Sequence, residues 1–167
     1  VHIVNVVELG GRKYLVDVGY AAPFLQPIPM DLQYDYEVSS GADRYVVAPR
    51  DEAGRSRITL HRNSSPRHGY VVNAQARNID EFAHVIADSF RPDATFMNAI
   101  LLAKFDPGSS YVLHNMTYVE SRGTSVQKTE LSTRDHLIGL IKGRFGIPEA
   151  ISRVSLDNLD LSKDPWS

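Results

Sequence analysis

The stretch VHIVNVVELGGRKYLVDVGY, residues 1–20, decides how this chain is read. Two apolar runs are joined by Gly10-Gly11, with a histidine opening the first and an aspartate near the end of the second. Paired glycines between apolar runs signal a hairpin, because both turn residues can take positive φ at little steric cost. A loop symmetric about them sets Glu8 opposite Lys13, Val6 opposite Leu15, Val4 opposite Asp17 and His2 opposite Gly19. The facing charges of Glu8 and Lys13 favour that register.

The same register puts His2 and Asp17 on one face as diagonal neighbours, roughly 7–8 Å apart at the backbone. A carboxylate beside an imidazole fixes its tautomer and stabilises the imidazolium, which is the outer half of a catalytic triad. The third member would be a nucleophile, and the chain has no cysteine. Two readings stay open on spacing alone. One is a structural hydrogen bond, the commoner use of such a pair, and the other is half of a catalytic site. A bulge at Gly10-Gly11 would move the register by one residue and send the two side chains to opposite faces.

His2, Gly11, the run Tyr14-Leu15-Val16-Asp17-Val18-Gly19-Tyr20, then Pro27 and Pro29, resemble the second half of an arylamine N-acetyltransferase. The resemblance implies acetyl transfer from acetyl-CoA to an aromatic amine or hydrazine through a Cys-His-Asp triad. It places His2 on the histidine and Asp17 on the aspartate, 15 residues apart. The cysteine of that family lies upstream, in a helical first domain. This chain therefore reads as a carboxyl-terminal portion, with the missing N-terminal helical domain as a partner and no acetyl transfer expected from the chain alone. The glycine-rich loop after the aspartate lines the acyl-CoA cleft in the family. Gly19 and Tyr20 fall there as cofactor-binding candidates, with Tyr20 where phenylalanine is usual and Ala21 and Ala22 where glycines are. Pro92-Asp93-Ala94-Thr95-Phe96 resembles the family's proline–serine–phenylalanine turn near CoA and the acceptor. It makes Thr95 the cofactor-side hydroxyl, while Phe96 is either an aromatic wall for a planar amine or plain core packing. Two alternatives accompany this reading: a non-catalytic binding domain of the same fold, and an amide-forming relative that uses another acyl donor.

Composition bounds the rest. At 167 residues and 43% hydrophobic content the chain suits one domain-sized core. A formal charge of −2 offers no basic patch for nucleic acid or an acidic membrane. No apolar run approaches the roughly 18 residues that cross a bilayer, and no leader is visible. The expected location is the cytoplasm. Without cysteine there is neither disulfide nor thiolate metal site, and no two histidines with an acid have a metal-site spacing, so no metal is expected. The tyrosines at 34, 36 and 45 read as sheet aromatics rather than a base-stacking surface.

The rest of the chain is mostly strands. Residues 21–32 carry three prolines and read as an extended connection. Strands follow at 33–38, 44–49 and 58–62, with turns at 39–42 and 63–69 and a charged loop at 50–56. A strand over 69–76 leads to a helix capped by Asn78 or Asp80, with Phe82, Val85, Ile86 and Ser89 on one stripe and an end before Pro92. Strands at 96–105, 110–120 and 125–131 form a meander. Ser132 and Asp135 then start a helix that buries Leu137, Leu140, Ile141 and Phe145 and stops at Gly146 and Pro148. The fold class is α+β, an antiparallel barrel-like sheet with an internal and a C-terminal helix. Its parts are 1–77 with the His/Asp hairpin, 78–147 with helix, meander and closing helix, and a polar tail at 148–167.

Overall fold

The computed structural model describes residues 2–40, 43–73 and 75–161. Val1, the Gly41-Ala42 part of the expected turn and the end of the tail, 162–167, lie outside them. The fold is α+β, with antiparallel strands in three sheets and a few short helices. The chain divides into two compact units. The first is residues 1–76 together with 105–109 and 122–125, and the second is the remainder.

In the first unit β1 (Asn5–Leu9), β2 (Arg12–Val16) and the two-residue β3 (Ile28–Pro29) form one sheet in that order. Its hairpin has the expected register: Asn5 faces Val16, Val6 faces Leu15 and Glu8 faces Lys13. Gly10 and Gly11 take φ of 59° and 76°, a turn without a bulge. Pro29 is tolerated because β3 is an edge strand. A second sheet runs β4 (Tyr36–Ser40), β5 (Asp43–Val47), β6 (Arg55–Arg62), β7 (Ser65–Asn73). Leu15, Ile28 and Met30 pack with Val47, Ile58 and Val72 from this sheet into one buried cluster.

The turn expected over 63–69 shrinks to Asn63-Ser64, whose φ values of 52° and 62° make a two-residue hairpin loop. Residues 65–69 are strand instead, so β7 brings two further side chains, His68 and Tyr70, into play. Between Thr59 and His61 the β6–β7 register shifts, and Arg67 and His68 share the place opposite Leu60. Gly69 is required at the crossing, since a Cβ there would lie 2.0 Å from the Ile58 carbonyl oxygen.

In the second unit the first helix opens as a 3-10 turn, Ile79–Phe82, and continues as α1 (Ala83–Ser89). Asn78 caps it in a reciprocal box with Glu81. None of its residues is buried, so the expected stripe of Phe82, Val85, Ile86 and Ser89 is not a core face. The strand expected over 96–105 begins later, because Thr95–Met97 is a 3-10 turn. β8 (Leu101–Asp106), β9 (Ser109–His114), β10 (Thr117–Arg122) and β11 (Ser125–Glu130) form a meander. Residues 110–120 are two strands, not one, split at Asn115, which turns the chain at φ 48°. The cap of α2 (Arg134–Leu140) is Thr133, not Ser132, with its hydroxyl accepting from the His136 amide. One π-turn (Ile141–Phe145) extends this helix to Gly146 at φ 73°. Leu137, Ile138 and Ile141 are buried with Leu113 and Leu156, while Leu140 and Phe145 are half-buried. The tail is not featureless. Glu149–Asp157 forms α3, which buries Ser152 and Leu156 and ties Arg153 to Glu149 at 2.8 Å.

Candidate active site

The hairpin register brings His2 and Asp17 together. His2 Nε2 lies 2.9 Å from Asp17 Oδ1 and 2.8 Å from Oδ2. A carboxylate at Nε2 fixes the proton there and leaves the Nδ1 lone pair to accept one. Among the described residues Nδ1 has no hydrogen-bond partner. The His2 side chain is 28% exposed and that of Asp17 only 1%.

A buried carboxylate needs donors, and Asp17 has four. The chain turns sharply after β2, so the Gly19 amide donates to Oδ1 at 3.0 Å and the Tyr20 amide at 3.2 Å. From β7 the Tyr70 hydroxyl donates to Oδ2. His2 Nε2–H completes the set. Burial by itself pushes the Asp17 carboxyl up; the bonds from Tyr70, His2 and Gly19 outweigh it and hold the group below the ordinary carboxylate range. Burial, reinforced by the bond to Asp17, pushes the Tyr70 phenol up, so it stays a donor. The Tyr70 ring meets His2 edge-on at 4.9 Å and Tyr20 at 4.8 Å. The Tyr20 hydroxyl and His68 Nδ1 are 2.9 Å apart.

Gly19 belongs to this constellation for a steric reason. A Cβ there would lie 3.1 Å from His2 Cε1 and 4.0 Å from Nδ1, crowding the edge of the ring that carries the lone pair. Ala21 adopts φ 56°, the left-handed conformation that a glycine takes without strain. Thr95 and Phe96 lie in the second unit, on the Thr95–Met97 turn. Phe96 is 69% exposed, which removes core packing as its reading. The turn before it is held by Asn98, whose side chain donates to the carbonyls of Pro92 at 2.6 Å and Ala94 at 2.9 Å.

Sequence reading missed Tyr70, His68 and Asn98. Reading 63–69 as a turn hid the alternation that puts residues 68 and 70 on one face. A cleft of about 550 Å³ in the first unit is lined by Arg12, Lys13, Asp31 and Arg50, among others, and includes none of the candidate site residues. Among the described residues no group of three or more histidines and carboxylates could hold a metal. Likewise no helix there is long and apolar enough to cross a membrane.

A family model described as N-acetyltransferase matches residues 1–154. The chain belongs to the arylamine N-acetyltransferase family. Solved structures with the same fold include a variant of the N-arylamine acetyltransferase of Mycobacterium smegmatis. It has TM-score 0.72 and 18% identity, with 93% of this chain and 59% of that one covered. The enzyme of Mycobacterium abscessus has TM-score 0.65 and 22% identity, covering 96% and 58%. That of Mycobacterium marinum in complex with CoA has TM-score 0.68 and 18% identity, covering 92% and 59%. The chain thus spans under two thirds of the length of these structures. No curated protein sequence matches it significantly.

Proposed function

We propose that this chain supplies the histidine and aspartate of a thiol-dependent acetyltransferase, moving acetyl from acetyl-CoA to an aromatic amine or hydrazine. The observation that carries this reading is the clamp of His2 Nε2 by both Asp17 oxygens, at 2.9 and 2.8 Å, with Nδ1 left to take a proton. Acetyl-CoA, when bound, supplies the activated acetyl group. His2 Nδ1 accepts the proton of a thiol and later returns a proton to the departing sulfur. The buried Asp17 charge stabilises the imidazolium in between. Tyr70 and the Gly19 and Tyr20 amides keep Asp17 ionised and fixed while the ring changes charge. Gly19 and Tyr20, with Thr95, are the proposed cofactor-side residues, and Phe96, exposed on its turn, is the proposed wall for the acceptor ring.

In this reading the thiol belongs to the helical segment that the family resemblance implies upstream, the chain itself having no cysteine. Strand β1 supports such a partner: Val6, Val7 and Leu9 are 40%, 47% and 72% exposed on an edge of its sheet. The chain alone is expected to release no CoA from acetyl-CoA in the presence of an arylamine. Joined to its natural upstream sequence it is expected to do so, with His2→Gln abolishing turnover. An upstream sequence without cysteine, or a His2→Gln enzyme with unchanged turnover, would sink the reading.

A further inference from the structure

We infer that His68 is a positioning residue for the Asp17 carboxylate, acting through the phenol of Tyr20. The tie is short: His68 Nδ1 and the Tyr20 hydroxyl are 2.9 Å apart, and their rings meet edge-on at 5.7 Å. Tyr20 is in turn tied to the carboxylate by one hydrogen bond and one indirect contact. Its own amide donates to Asp17 Oδ1 at 3.2 Å, and its ring packs against Tyr70, whose hydroxyl donates to Oδ2.

The placement follows from the strand. His68 and Tyr70 are two residues apart on β7, and alternate residues of a strand share a face. His68 is itself one of the two residues opposite Leu60 at the register shift, and bulges re-aim side chains. Strand β7 therefore grips the carboxylate by two routes, directly through Tyr70 and at one remove through His68 and Tyr20. The second route fixes the far end of the 17–20 turn. That turn otherwise has an open side, for Val18 is 90% exposed. Without the tie the turn can swing, and the Gly19 and Tyr20 amides leave Oδ1 for part of the time. The Nε2–H of His2, bonded to the same carboxylate, then meets water more often. A role in the proposed reaction rests on the acetyltransferase reading, whereas the tie itself does not.

Hydrogen exchange followed by NMR on the chain as it stands reads this out without a thiol, an acyl donor or turnover. His68→Ala and Tyr20→Phe are each expected to speed exchange of the Gly19 and Tyr20 amides and of the His2 Nε2 proton by about tenfold. Val46, central in the sheet whose edge strand carries His68, should exchange unchanged. The double variant should be no faster than either single one, because both remove the same bond. His68→Asn, which offers a polar atom near the place of Nδ1, should restore most of the protection. Unchanged exchange at these three sites in His68→Ala overturns the proposal, whatever Tyr20→Phe does. So does additive acceleration in the double variant. Failure of the longer enzyme to transfer acetyl would leave these readouts as they are, so the two ideas fall separately.

Discussion

The two places where site residues were expected are built in opposite ways. The Asp17 side chain is 1% exposed and accepts bonds from His2, Gly19, Tyr20 and Tyr70, which come from three separate stretches of the first unit. Phe96 is 69% exposed on a turn held by its close neighbour Asn98. A carboxylate fixed by strands and buried must be satisfied from several elements, and its position is then set by the fold. An exposed aromatic ring on a local turn takes its position chiefly from that turn. The first arrangement suits a group that must hold one geometry while a neighbouring ring changes charge. The second suits a surface that meets a ligand.

The contrast breaks most sharply on substitution. Asp17→Ala strands the Tyr70 hydroxyl and two amides and should lower stability by about 3 kcal/mol, whereas Phe96→Ala should stay within about 0.5 kcal/mol. Urea unfolding of the two variants measures both. The acid side adds a sign. Tyr70, His2 and Gly19 hold the Asp17 carboxyl below its ordinary value despite burial, so the unfolded chain protonates first as pH falls. The stabilisation is full above the unfolded value, 3.8, and is lost as pH falls through the lower folded one. Asp17→Asn should flatten this part of the stability profile below about pH 4. An equal loss for Phe96→Ala, or an acid limb unchanged in Asp17→Asn, would show that the two sites are not held differently.

A smaller effect should come from the strand that delivers Tyr70. A Cβ at Gly69 would sit 2.0 Å from the Ile58 carbonyl oxygen, and backbone cannot yield as a side-chain tip does. Gly69→Ala should destabilise by about 2 kcal/mol through overpacking at the β6–β7 contact. Its amide exchange should rise along β7, Tyr70 included, and not in the β1–β2 hairpin. A variant as stable as the parent would mean that β7 can part from β6 there without strain.

How far the sequence reached follows the same division. The hairpin register was legible because Gly10-Gly11 fixes a two-residue turn and the side-chain period of a strand is two. His2 and Asp17 follow from it by counting. Tyr70 was not legible, since its contact with Asp17 spans 53 residues and depends on how two sheets pack. Local signals also misled where polar residues can sit in strands. Ser65-Pro66-Arg67-His68-Gly69 has turn-like composition, yet β7 is an edge strand, where proline and glycine are tolerated. Asn115, in contrast, carried a readable signal: asparagine accepts positive φ, and eleven residues is long for one strand of a meander. The periodicity of α1 gave a helix but not its burial, because a 3.6-residue stripe does not say whether anything covers it.

Residue 21, just past the buried site, should respond least to substitution. Ala21 follows the turn that feeds Asp17 and holds φ 56°, with its carbonyl accepting from the Tyr45 hydroxyl at 3.5 Å. A left-handed L-residue costs about 1–2 kcal/mol, while the added freedom of glycine in the unfolded chain costs roughly 0.5–1 kcal/mol. The first exceeds the second, so Ala21→Gly should stabilise the chain by about 0.5 kcal/mol, a rise of about 1–2 °C in melting temperature for a chain of this size. Differential scanning calorimetry resolves a shift of that order. A lower melting temperature would mean that the left-handed conformation is not maintained at residue 21. The backbone from Asp17 to Ala21 would then be held by its bonds to the carboxylate and β7 alone, and the strain would lie elsewhere in the connection to β3.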